Sequence, residues 1–156
     1  MPPPNITIRP ATLADIPEIL RQRRSMYEAM RYTDSGALET MCSLTGDYLR
    51  TAIPNGWFHE WLACDAGRPI AGGAVFITAW PAHPYDLECR RATILNVYTD
   101  PEYRRQGIAR SLMETMITWC REQGLARVAL HASEDGRHLY ETLGFQLSNE
   151  MRLHLR

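Results

Sequence analysis

The sequence predicts a mixed α/β domain: a mostly antiparallel, twisted sheet of about seven strands with helices on both faces. Three observations carry this. Strand patterns follow one another without a helix between them from Trp57 to Thr99, which calls for antiparallel pairing. A strand, an amphipathic helix and a second strand then follow around residues 108–124, which calls for a parallel, right-handed crossover. The chain has 156 residues and is 45% hydrophobic, enough for one ordinary domain with a core of its own. One domain over residues 1–156 is therefore expected, with the prolines at 2–4 making residues 1–4 a short extended tail.

Each element has a local reason. Ile6 and Ile8 alternate with polar neighbours and predict a strand over Asn5–Arg9. Ile16, Ile19, Leu20, Met26, Tyr27 and Met30 recur at helical spacing after Thr12 or Asp15. The arginines at 21, 23 and 24 on that helix read as a solvated face. Tyr32–Gly36 is a loop, and a second helix runs from about Leu38 to Ile53, stopped by Pro54-Asn55-Gly56. Trp57–Cys64 and Pro69–Trp80 form a hairpin about Asp65–Arg68, with Gly72-Gly73 as a bulge. Pro81–Asp86 is a loop, and Arg91–Thr99 is the next strand. Ile108, Leu112, Met116 and Trp119 line one face of a helix that Gly124 closes. The near-continuous apolar run of Arg127–Ala132 predicts a buried central strand, with His131 as a core histidine. Leu139 and Leu143 mark a short helix ended by Gly144. Phe145–Leu147 and Met151–Leu155 alternate as two final strands.

Composition excludes several classes. Seventeen basic against eighteen acidic residues give a net charge of −1, so no nucleic-acid partner is expected. No apolar run is long enough to cross a membrane. Cys42, Cys64, Cys89 and Cys120 form no C-x-x-C pair, so no metal is expected. Met1-Pro2-Pro3-Pro4-Asn5 does not read as a signal peptide. The expected setting is the cytoplasm, with reduced thiols and no use of the Asn5-Ile6-Thr7 sequon.

The informative stretch is Tyr103-Arg104-Arg105-Gln106-Gly107-Ile108-Ala109, between a strand and a helix N-terminus. A helix start carries unpaired N–H groups and a positive dipole end, which suits an anion. Gly107 has no Cβ to hold a ligand off, and Arg104, Arg105 and Arg110 add positive charge. The loop lacks the Gly-Lys-Ser/Thr of a P-loop and the three glycines of a dinucleotide fingerprint.

Arg104-x-x-Gly107-x-Ala109 resembles the acetyl-CoA signature of the GCN5-related N-acetyltransferase (GNAT) superfamily, and Leu139-Tyr140-Glu141-Thr142-Leu143-Gly144-Phe145 resembles its second hallmark. The resemblance is sharp over Ala92–Phe145. It implies the acyl-CoA N-acyltransferase fold and acetyl-CoA as cosubstrate. The pyrophosphate is then expected on the amides of Arg105, Gln106, Gly107, Ile108, Ala109 and Arg110. The pantetheine arm is expected along Val97, Tyr98 and Thr99, and Ser133 stands where many relatives place a cofactor-contacting asparagine. Tyr140 matches the tyrosine that protonates the leaving thiolate as general acid. In that scheme a neutral primary amine, of a small molecule or a protein, attacks the thioester directly in a ternary complex, and an amide near Val97 stabilises the oxyanion.

The general base stays open among Glu88, Asp86, His83, His131 and a water held by Asn96. Tyr27, Tyr32, Asp34, Trp80, Tyr85, Asp86 and Glu88 are candidates for the acceptor side, where acids and aromatics suit a cationic amine. Two other readings are a non-catalytic acyl-CoA-binding or regulatory module and an acyltransferase with a longer donor. A chain of this length leaves no room for a separate substrate domain, so the acceptor pocket comes from the N-terminal half or from a partner subunit. A homodimer is thus within the expectation.

Overall fold

Five strands, β1 (Ile6–Pro10), β2 (Phe58–Asp65), β3 (Arg68–Ala79), β4 (Arg90–Thr99) and β5 (Val128–Leu130), form one sheet in that spatial order in the computed structural model. The structure describes residue 3 and residues 5–156. Residues 1, 2 and 4 of the expected tail lie outside the described residues. The first three pairings are antiparallel and β4–β5 is parallel, as the element order requires.

Four α-helices cover the sheet: α1 (Ile16–Ala29), α2 (Ser35–Ala52), α3 (Ile108–Glu122) and α4 (Glu134–Thr142). The Asp34 carboxylate accepts from the Ala37 N–H at 3.0 Å and starts α2 three residues earlier than the apolar pattern suggests. One face of the sheet holds Ile16, Ile19, Leu49 and Ala52 of α1 and α2 against Phe58 and Ala74. The other holds Ile108, Leu112, Met113, Met116 and Cys120 of α3 against Trp61, Val75, Ala92 and Ile94. The 3.6-residue period of α3 thus meets the two-residue period of the strands, and the helices lie on both faces.

A bulge forms beside Gly72-Gly73, but the extra residue is on β4 and not on the glycine strand. Gly72 faces Tyr98 and Ala74 faces Leu95, so Asn96 and Val97 together stand opposite Gly73. Asn96 takes the extra turn with φ of 58°. A side chain at Gly73 would press on Met116 Cε at 2.8 Å, and one at Gly72 would displace Gln22 and Glu60. The glycines therefore clear space on both faces of β3.

Three expectations change. The arginines of α1 are not a plain solvated face. Arg21 bridges Glu18 and Asp100 (Nη1 to Asp100 Oδ1, 3.0 Å), and Arg23 donates to Asn96, while Arg24 pairs with Glu28 at the surface. Charged side chains on a helix that packs on a sheet turn inward when the sheet supplies acceptors. Second, the run 127–132 yields only a three-residue strand at the sheet edge, with Ala129 and His131 exposed. Its ladder with β4 runs from Ala92–Val128 to Ile94–Leu130 and stops just before the bulge turns β4 away. Third, neither C-terminal strand forms. The sheet has five strands rather than about seven, because residues 146–156 find no ladder within the described chain. Alternation specifies the face of a strand and leaves its partner open.

Candidate active site

β4 and β5 diverge after Ile94 and Leu130 and leave a wedge. Val97, Tyr98 and Thr99 lie along its β4 side. His131, Ala132 and Ser133 lead from β5 to α4 on the other. At the top of the wedge the chain turns through a short 3₁₀ segment, Pro101–Tyr103, into the loop before α3. Arg104 holds that turn by donating from Nε to the Thr99 carbonyl at 3.1 Å, and Gln106 donates to the Glu102 carbonyl at 3.2 Å. Arg105 and Gly107 take positive φ values of 60° and 78°. Only glycine adopts this backbone without strain, so the Gly107 position is restricted.

The first helical amide of α3 to find a carbonyl is that of Ser111, on Gly107 O at 3.1 Å. Among the described residues the amides of Arg105–Arg110 make no main-chain bond outside the helix, and Arg104–Gly107 are exposed. Successive free N–H groups at a helix N-terminus, bent by two left-handed residues, form an anion cradle. The residues here fit a pyrophosphate. The Arg110 guanidinium reaches instead to Thr142 Oγ1 at 2.7 Å, joining α3 to α4 and leaving its main-chain amide as its part of the cradle.

α4 brings Tyr140 to this region. Gly136 lies one turn before it, and a Cβ there would stand 2.7 Å from the Tyr140 ring, so the ring is seated over bare backbone. Phe145 meets the ring edge to face at 6.1 Å. Burial pushes the phenol above its ordinary pKa, so it keeps its proton at neutral pH. Ser133 caps α4 by accepting from the Gly136 N–H at 3.2 Å, which leaves its hydroxyl hydrogen as the group a ligand can use.

On the opposite side of β4 lies a cluster that sequence reading missed. Glu60 points from β2 across the gap left by Gly72, and Arg23 donates from α1 to Asn96 at the bulge. Glu60 is 4% exposed, and among the described residues its Oε2, Gln22 Oε1 and Arg23 Nε have no hydrogen-bond partner. Burial pushes the Glu60 carboxyl up to about 8, although the charge of Arg23 and the Asn96 amide pull it down. The one signal in the sequence was a carboxylate at an inward position of an apolar strand, next to the residues that face the paired glycines.

The acceptor candidates divide. Tyr27 stacks edge to face on Tyr32 at 5.4 Å and lies under the Arg23 guanidinium, so it belongs to the α1 side of the bulge. Tyr85 is almost wholly exposed on the turn made by His83 and Asp86. Glu88 is paired with Arg90 at 2.9 Å, which lowers its pKa and makes it a poorer base. Asp86 is buried near Arg127, Trp80 carries Arg91 over its ring, and His131 meets Arg152 and Glu150 rather than the core. Among the described residues no hydrogen bond or ring contact joins Tyr85 or Glu88 to Tyr27 or Tyr140. No cluster of three metal-ligating side chains occurs, and no helix is long and apolar enough to cross a membrane, among the described residues.

The chain is similar to known proteins of one family. Residues 22–145 match the model of the Acetyltransferase (GNAT) family. Human N-acetyltransferase 8B is 27% identical over 128 residues, 80% of this chain and 53% of that protein. The [ribosomal protein bS18]-alanine N-acetyltransferase of Escherichia coli K12 is 39% identical over 57 residues, 35% of this chain and 38% of its own. The chain spans about half the length of the human relatives it matches. A GCN5-related N-acetyltransferase from Ralstonia eutropha JMP134 superposes with a TM-score of 0.88 at 31% identity, covering 96% of this chain and 98% of that one. A predicted acetyltransferase from Clostridium acetobutylicum, solved with acetyl-CoA, has the same fold (TM-score 0.85, 24% identity, 96% of each chain). With the family model matched from α1 to the end of the Tyr140 hallmark, this chain belongs to the GNAT family of acetyltransferases.

Proposed function

We propose that this protein transfers the acetyl group of acetyl-CoA to a primary amine. The observation that carries the reading is the wedge between β4 and β5, with the free-amide cradle at one end and the half-buried Tyr140 beside it. The cradle takes the pyrophosphate, and the unpaired edge of Val97–Thr99 takes the amide groups of the pantetheine arm as an added strand. Bound there, acetyl-CoA supplies the thioester. The amide at Val97, beside the bulge, faces the carbonyl oxygen and stabilises the charge that grows on it.

The neutral amine forms the new C–N bond, and the C–S bond breaks. Tyr140, kept protonated by burial, gives its proton to the departing sulfur. The proton that the amine sheds passes through water to the Asn96–Glu60 side of the bulge, where a carboxyl with a pKa of about 8 is matched to a base working near neutrality. Tyr27 and Tyr32 give this side aromatic faces for a cationic or peptide-borne amine. A ribosomal-protein acetyltransferase among the relatives supports a protein amino group as one class of acceptor, with small-molecule amines as the other.

The test is thiol release from acetyl-CoA against a panel of polyamines, amino acids, aminoglycosides and peptides with free N-termini. Acetyl-CoA is expected to raise the melting temperature, and at least one panel member to support release. Tight acetyl-CoA binding with no release for any amine would replace this reading with a binding module.

A further inference from the structure

We propose that Arg91, held on the ring of Trp80, selects the acceptor: it pairs with an acidic side chain about four to six residues along a peptide whose free amino terminus lies at the Asn96 bulge. This rests on the proposed acetyl transfer and adds which amines the site takes.

The sheet supplies a path from the bulge to Arg91. Ala92 and Ile94 of β4 pack under α3, so Arg91, Thr93 and Leu95 face the side of α1 and α2. Across the ladder Ala74 stands opposite Leu95, Phe76 opposite Thr93 and Thr78 opposite Arg91. Helix cover thins along this row. Ala74 is buried in the α1–α2 core, with Leu95 packed against it. Phe76, Thr78, Thr93 and Arg91 are half-buried, and Trp80 is 45% exposed. Tyr48 of α2 meets Phe76 edge to face at 6.2 Å. At the bulge end, Arg23 joins Asn96 to the aromatic pair Tyr27–Tyr32.

Arg91 waits at the far end of this trough. Its guanidinium carbon lies 3.9 Å from the Trp80 ring centroid. A stack of this kind fixes the plane of the group and leaves its N–H edge to a carboxylate. The neighbouring acids are already engaged, Glu88 by Arg90 at 2.9 Å and Asp86 by Arg127 at 3.8 Å. Among the described residues Arg91 has no hydrogen-bond or ion-pair partner of its own. A cation that is ordered before the ligand arrives loses little freedom on pairing.

Distance decides the class of acceptor. Arg91 and Asn96 are five positions apart on β4, roughly 16 Å at about 3.3 Å per residue. An amino acid carries its carboxylate one carbon from its amine and cannot span this gap. A polyamine has no anion to offer. An extended peptide covers the gap in about five residues. The rings of Tyr48, Phe76 and Trp80 suit its side chains, and the hydroxyls of Thr78 and Thr93 suit its main chain.

The test uses hexapeptides with a free amino terminus that carry Glu, Gln or Lys at the fourth, fifth or sixth residue. At one of these places kcat/KM for thiol release is expected to be about 10-fold higher with Glu than with Gln. That ratio should fall to about 1 in Arg91→Gln and should turn in favour of Lys in Arg91→Glu. The second variant keeps the test readable if the first fails to fold. Amino-terminally acetylated forms of the same peptides, followed by calorimetry, read the trough without the chemistry. Turnover with no preference for Glu at any of the three places, or a preference that survives Arg91→Gln, would overturn the role of Arg91 and leave acetyl transfer standing. Arg91-dependent binding of the Glu peptide with no thiol release from any amine would do the reverse. Neither binding nor turnover would overturn both.

Discussion

At the C-terminal end of β4 the loop Arg104–Gly107 offers exposed main-chain amides, whereas at the Asn96 bulge a few residues earlier polar and charged side chains, buried or half-buried, gather from three elements. The first region is local. Its shape follows from two left-handed residues and the start of one helix, and its chemistry is that of the peptide group. The second is non-local. Glu60, Arg23 and Asn96 come from β2, α1 and β4, and they meet only because Gly72 leaves that face of β3 bare. A main-chain site tolerates many side chains and fails when its backbone cannot bend. A side-chain cluster keeps its backbone and fails when one partner is lost.

That contrast orders the predictions. Gly107→Val should have the largest effect, because a β-branched residue at φ of 78° forces the cradle open. Acetyl-CoA affinity is expected to fall by about 100-fold or more in calorimetry, with the melting temperature of the free protein changed far less. Tyr140→Phe removes the proposed proton donor and keeps the packed ring. Turnover should drop by roughly 10²-fold or more while acetyl-CoA affinity holds, and unchanged turnover would take Tyr140 out of the chemistry.

On the bulge side, Arg23→Gln should lower kcat by about 10-fold through a displaced Asn96, with KM for acetyl-CoA nearly constant. A parallel rise in that KM would mean that bulge and cradle are not separate.

The smallest effect is on stability. The Glu60 carboxyl has a folded-state pKa of about 8, above its ordinary value near 4.5. Its contribution to stability is fully present below about 4.5 and is lost as the pH rises towards 8, because the unfolded chain then gives up a proton that the folded chain keeps. Glu60→Gln should flatten the fall in chemical-denaturation stability between pH 5 and 8.5. If the two proteins fall in parallel, Glu60 is already ionised by its neighbours.

How much was legible in the sequence follows the same divide. Helix α3, the loop before it and the Tyr140 helix were readable because each lies within one continuous segment of regular spacing. The hairpin β2–β3 was readable because turn chemistry is local, whereas the bulge near its glycines falls on β4, with Asn96 as the extra residue. The inward turn of Arg21 and Arg23 was not, since a helix pattern records which positions repeat and not what the sheet beneath them offers. Nor was the edge position of β5. Val128, Ala129 and Leu130 are as apolar as a central strand, and burial depends on neighbours that pair from elsewhere.

By itself, then, the sequence determined most of the alternation of helices and strands, the bent loop of free amides before α3 and the short helix that carries Tyr140, because short-range backbone geometry and periodicity set these. Only the tertiary structure decided that Glu60 would be buried over Gly72, that β4 and β5 would part after three residues, and that the strand-like arm after Phe145 would stand unpaired. Each of these depends on which distant segments come to lie side by side, and no local pattern encodes that contact.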